Sequence, residues 1–144
     1  MNKYRTLAQK LALVFGATFL VVAIAGFIPG LTTNLYDGLD FAGDGSEAEL
    51  LGLFQVSVLH NIVHALFGVG ILLAATHRGA LQYLLYGGIA YLVVFLLGVI
   101  GAGDWIPTNS ADNVLHLVLA AGLLGGWAAT RNEREPLAER VGAS

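Results

Sequence analysis

A chain of 144 residues with a mean hydropathy of +0.72, 56% hydrophobic and only 12% charged, carries about half the charge of an ordinary soluble domain, which is near 25%. A domain of this size leaves roughly a third of its chain surface uncovered, so this much apolar surface is matched to lipid and a soluble enzyme is excluded. The absence of cysteine removes disulfides, thiolate metal sites, iron–sulfur clusters, covalent c-type haem and a cysteine nucleophile, and a net charge of −3 argues against nucleic acid as a partner.

In chain order, the first charge-free run, Leu11 to Tyr36, follows Lys3, Arg5 and Lys10 and predicts a helix over 5–28, stopped by Pro29. Ala23-Ile24-Ala25 imitates a signal-peptidase site, but the apolar core of 18 residues exceeds the usual 7 to 15, so the helix is expected to be retained. The 29–49 connection is acidic. Within it Asp40-Phe41-Ala42-Gly43-Asp44-Gly45 has no acid at the third position of a calcium loop and Leu51 where the bidentate Glu belongs, so an EF-hand is rejected. Further helices are expected over 50–76, 80–101 and 111–130, with a tight turn at 77–79. Gly101, Gly103 and Pro107 end the third, and Asp112 or Ser110 is expected to cap the fourth. The tail, 131–144, reads as a short, partly disordered amphiphilic end.

Four spans put both termini on one side. All seven basic residues (Lys3, Arg5, Lys10, Arg78, Arg131, Arg134, Arg140) fall there with Glu133, Glu135 and Glu139, while Asp37, Asp40, Asp44, Glu47, Glu49, Asp104 and Asp112 fall on the other side. The positive-inside rule makes the basic side, with both termini, cytoplasmic.

Self-comparison reveals a repeat. Asn61-Ile62-Val63-His64 is followed six residues later by Gly70, and Asn113-Val114-Leu115-His116 likewise by Gly122. The first and third helices match as Phe19 to Ile28 against Tyr91 to Ile100, aligning Gly26 with Gly98. Two hairpins of one orientation are parallel repeats about an axis along the membrane normal, with equivalent residues at equal depth. His64 lies 14 residues before Arg78 and His116 lies 15 before Arg131, about 21 to 22 Å above the basic line and so in the outer half. The expected fold is all-α: four transmembrane helices as two parallel-repeat hairpins in an antiparallel bundle, forming one domain.

Gly26-Phe27-Ile28-Pro29-Gly30, Asn61-x-x-His64 and Asp112-Asn113-x-x-His116 span nearly the whole chain, and in these motifs it resembles a family of small bacterial four-span membrane proteins known only as a domain of unknown function. The resemblance implies the fold and location in the bacterial plasma membrane. It implies no activity.

On a helical wheel Asp112 and Asn113 lie about −40° and +60° from His116, and His60 and Asn61 take the same angles from His64. With Ser57, Gly68 and Ala120 in the same sectors, these are narrow polar faces of the kind that meet between helices. The first reading is interhelical glue in a structural or accessory, non-enzymatic membrane protein. A second takes the i,i+4 pairs His60/His64 and Asp112/His116 as four ligands for a divalent ion such as zinc, bound or transported, with Asn61 and Asn113 supporting them; the spacing resembles that of cation-diffusion-type zinc transporters. A third makes His64 and His116 axial ligands of haem b in a redox subunit, disfavoured because the acidic face offers no cation to the propionates. The acidic loop is either simply solvated or concentrates cations above a metal site. No phosphate loop, Ser-His-Asp order or paired catalytic carboxylate is present. The expected partners are the lipid bilayer and a second copy or a larger membrane complex.

Overall fold

The computed structural model describes residues 6–101 and 109–136. The expected helix start at residue 5, the breakers Gly103 and Pro107, the charges Lys3, Arg5, Asp104, Glu139 and Arg140, and the tail beyond 136 lie outside the described residues.

The described chain is mostly helical, and three helices are long and apolar enough to cross a membrane: α1 (Leu7–Ala25), α4 (His77–Ile100) and α5 (Ser110–Thr130). Each starts at a polar side chain that accepts a backbone N–H left free in the first turn. Thr6 accepts from Gln9, Thr76 from Gly79 and Asn109 from Asp112. At α5 the expected caps Ser110 and Asp112 are corrected: Asn109 is the cap, and Asp112, three residues on, accepts the Asn109 N–H in return. The faces turned inward are lined by small residues such as Ala8, Ala12, Gly16, Ala80 and Gly88. Val14, Val21, Leu96, Val99 and Val118 point outward and exposed.

The helix expected over 50–76 takes a different form. Glu49–Leu50 (β2) and Phe54–Gln55 (β3) pair antiparallel, Leu50 opposite Phe54, and Thr32–Thr33 (β1) pairs with the other edge of β2 to complete a small sheet in the order β1-β2-β3. Leu51 and Gly52 both have positive φ, 56° and 66°, which a tight hairpin turn requires at its two central positions and which no membrane helix tolerates. Only past Ser57, which caps by accepting from His60 N–H, does α2 (Val58–Phe67) begin. It breaks at Gly68–Val69 and resumes as α3 (Gly70–Leu73). Across the break the hydrogen bonds tighten to i→i−3, as from Val69 N to Leu66 O (3.1 Å) and Ile71 N to Gly68 O (3.0 Å). Tyr83 Oη donates to Phe67 O at 2.9 Å. The expected turn at 77–79 falls instead before His77, where Thr76 starts α4.

Helix α1 packs against α2, α3 and α4, and α4 packs against α5. Ala8, Ala12, Phe19, Tyr83, Leu84, Tyr91, Ala120 and Leu123 form the main core between them. A smaller cluster, Ala48, Leu50 and Val56, sits under the sheet. The end carrying the sheet and the 29–57 connection is the acidic face; the end carrying Arg78, Arg131 and Arg134 is the basic face.

Candidate metal centre

Capping by Ser57 sets the phase of α2 so that His60, Asn61 and His64 all point inward, and capping by Asn109 does the same for Asp112 and His116 on α5. The three imidazoles are 3%, 7% and 2% exposed in the order His60, His64, His116. The His60 and His64 rings are 4.4 Å apart by centroid, as i,i+4 neighbours on one helix face should be, and His60 and His116 are 6.0 Å apart across helices. One ring nitrogen from each lies within 4.8 Å of the other two. Nδ1 of every one of the three is buried without a hydrogen-bond partner among the described residues.

The four-ligand set read from spacing therefore divides. His60, His64 and His116 come together, whereas Asp112 is turned toward the acidic face, where its Oδ2 accepts from Asn109 N–H (3.1 Å) and Gln55 N–H (3.0 Å). A carboxylate three residues past a helix cap is drawn to free amides there, and Asp112 finds two. Gln55 is the residue spacing did not single out. Its backbone joins the two helices, giving its N–H to Asp112 and lying against the His60 ring. Its side chain holds the loop by donating to Asp44 O and Ser46 O.

Ser57, expected on the polar face of a longer helix, is the cap of α2. Asn61 is fully buried and packs on the backbone of α1: a Cβ at Gly26 would collide with its amide, and a Cβ at Gly98 would collide with that of Asn113. The Asn61 amide oxygen and nitrogen, and Asn113 Oδ1, have no hydrogen-bond partner among the described residues.

Aromatic rings close the site toward the basic face. Phe19 and Tyr91 stack at 5.1 Å and 11°, Phe67 tilts against both, and each stacked ring meets a different histidine: Phe19 lies 6.1 Å from His64 and Tyr91 lies 5.5 Å from His116. A cavity of about 50 Å³ remains, lined by the three histidines with Val63, Phe67, Ala90, Tyr91 and Val94. One water needs about 10–15 Å³ of such space. The cavity therefore has room for an ion with a few waters, and it offers no slot for a porphyrin between His64 and His116.

Three neutral imidazole donors with room for a fourth ligand suit zinc, copper or nickel. Metal–nitrogen bonds of about 2.0–2.1 Å set tetrahedral ligands about 3.4 Å apart, so the rings would draw together by up to about 1.4 Å on binding.

The curated proteins and the solved structures contain no match to the chain. A family model, Domain of unknown function (DUF4383), matches residues 9–128, most of the length and the whole of the site just described. The chain belongs to the DUF4383 family.

Proposed function

We propose that this is a four-span membrane protein, built as a duplicated helical hairpin, that binds a divalent transition-metal ion at His60, His64 and His116, in a binding or transport role without catalysis. The observation that carries the metal reading is the set of three buried Nδ1 atoms without partners on rings whose nitrogens approach within 4.8 Å. A buried polar atom left unpaired costs about 1–3 kcal/mol, and one ion compensates all three. Interhelical glue predicts the opposite, that these side chains hydrogen-bond one another across helices, and neither the histidines' Nδ1 atoms nor the Asn61 amide does so among the described residues.

The duplication is supported by contacts that repeat under the same offsets as the sequence. Gly26 with Asn61 repeats as Gly98 with Asn113, Phe19 with His64 repeats as Tyr91 with His116, and the cap Ser57 repeats as Asn109. Phe19 and Tyr91 are themselves equivalent and stack on each other, as residues beside a pseudo-two-fold axis do. The outward apolar side chains of α1, α4 and α5 support lipid as the surrounding medium. Val58–Leu73 serves as the fourth, shorter span, and the basic face is cytoplasmic by the positive-inside rule.

Two measurements test this reading. Purified protein, or protein reloaded with Zn(II) or Co(II), is expected to hold one equivalent of metal after gel filtration; less than a tenth of an equivalent with either ion defeats the metal site. Because the chain has no cysteine, Gly45→Cys and Arg134→Cys report topology cleanly. Impermeant maleimide added to intact cells is expected to label the first and not the second, and labelling of both defeats the four-span arrangement.

A further inference from the structure

Resting on the metal reading, we infer that the ion exchanges with the acidic face alone, and that the hairpin Glu49–Gln55 is a strap that lifts to admit it, with Asp112 as the first protein group the ion meets. Two sides of the site are closed to a hydrated cation. Toward the basic face stand the Phe19, Phe67 and Tyr91 rings, and beyond them a core of Leu84, Ala120 and Leu123. Toward lipid the cavity wall is Val63, Ala90 and Val94. Among these side chains an ion leaving its water behind would find a single oxygen, the buried Tyr91 hydroxyl at the floor of the cavity, and nothing to pass it on.

The acidic face differs in kind. Above His60 lie the Asp112 carboxylate, the Gln55 backbone and the Asn109 side chain, and over them, among the described residues, the strap. The strap stays joined to the acidic loop through Thr32–Thr33, Leu51 N–H to Leu31 O at 2.7 Å and the Gln55 side chain, but its grip on α5 is light. Asn109 Nδ2 donates to Leu53 O at 2.7 Å and Gln55 N–H donates to Asp112 at 3.0 Å, while Leu51 and Leu53 at its tip are exposed and only Leu50 is buried. Its paired strands are two residues each, too short to be rigid. Since the backbone of one residue, Gln55, contacts both Asp112 and His60, lifting the strap frees a carboxylate and an imidazole together. An arriving ion would then exchange water for Asp112 oxygen before passing to the three ring nitrogens. Asp112 thus has a place in ion capture although it does not belong to the resting histidine group.

Two experiments on the full chain test this. In proteoliposomes of known orientation, Co(II) added on the acidic-face side is expected to develop its visible ligand-field bands, and Co(II) added on the basic-face side is not; equal uptake from both sides overturns the inference. Second, Leu53→Cys with Asn109→Cys places one thiol on the strap and one at the start of α5, in a chain with no other cysteine. Closing the disulfide, confirmed by thiol titration, is expected to slow both Co(II) loading and its removal by EDTA about tenfold or more. Final stoichiometry should be unchanged, and reductant should restore the rate. The same sample oxidised and reduced is its own control for folding, and unchanged rates overturn the strap. Failure of the metal reading is a separate result: the unmodified protein in detergent would then take up no Co(II) from either face.

Discussion

A His116→Ala protein is expected to lose stoichiometric zinc or cobalt, and His60→Ala or His64→Ala to lose it as fully as any double replacement. Three imidazoles form the donor group among the described residues, and Asp112, the nearest spare ligand by sequence, is committed to the Asn109 and Gln55 amides. Taking one ligand from a site whose total binding energy is of the order of 10–16 kcal/mol removes about 4 kcal/mol, or about a thousandfold in affinity. Isothermal titration on the three single and three double variants reads this directly. A companion measurement separates ligation from glue. His64→Leu deletes a buried nitrogen that has no partner, so the metal-free protein should melt in detergent at the same temperature or higher, while the rise in melting temperature on adding Zn(II) disappears. Under the glue reading each replacement would instead cost about 0.6 kcal/mol, additively and without metal dependence.

The largest expected effect on folding belongs to Gly16→Ala. A Cβ at Gly16 would stand 2.5 Å from Ile71 N and 2.8 Å from the Gly70 carbonyl carbon, both backbone atoms of the interrupted helix. No rotamer change relieves a clash with backbone, so α1 must move away from α3, at a cost of about 1–3 kcal/mol or more. Gly125→Ala is the matched control, because nothing lies within 4 Å of the added methyl and alanine is the better helix former by about 1 kcal/mol. Thermal melts in detergent should show the first variant strongly destabilised and the second unchanged or stabilised. Equal effects would mean that contact between α1 and α3 is not tight.

The apolar runs of α1, α4 and α5 were legible because length and hydropathy alone define such helices. The inward aim of His64 and His116 was legible because an Asn-x-x-His pattern occurs twice against a glycine partner that also occurs twice. The strap was not legible. Its strands are too short to alternate, and Leu51-Gly52-Leu53 inside an apolar stretch has the composition of a span; only the left-handed backbone at Leu51 separates the two. The break at Gly68–Val69 was hidden for a related reason, since Gly-Val-Gly is ordinary in membrane helices and the α1 surface that presses on it is far away in sequence. The role of Asp112 was in principle readable, because Asn109-x-x-Asp112 is a capping pattern that competes with ligation. Gln55 could not have been found, since its place depends on how the strap folds over α5.

The interrupted helix also bears on the bilayer itself. The 10 residues of α2, the two linking residues and the 4 of α3 rise about 24 Å, against about 36 Å for the 24 residues of α4 beside them and a hydrocarbon thickness of about 30 Å. With Val58–Leu73 as the proposed fourth span, hydrophobic mismatch would be built into one flank of the molecule, which would thin the membrane around it or draw the Ala74–Thr76 turn below the headgroups. At that depth peptide groups would need internal partners, and the turn has several. Gln9 of α1 donates to Ala75 O at 3.1 Å, Ala74 N–H returns to Gly70 O at 2.8 Å, and Thr76 Oγ1 accepts from Gly79 N–H at 3.0 Å. Gln9 thus serves two helices: its Oε1 accepts the Thr6 N–H in the first turn of α1, and its Nε2 supports the turn that ends the shorter neighbour.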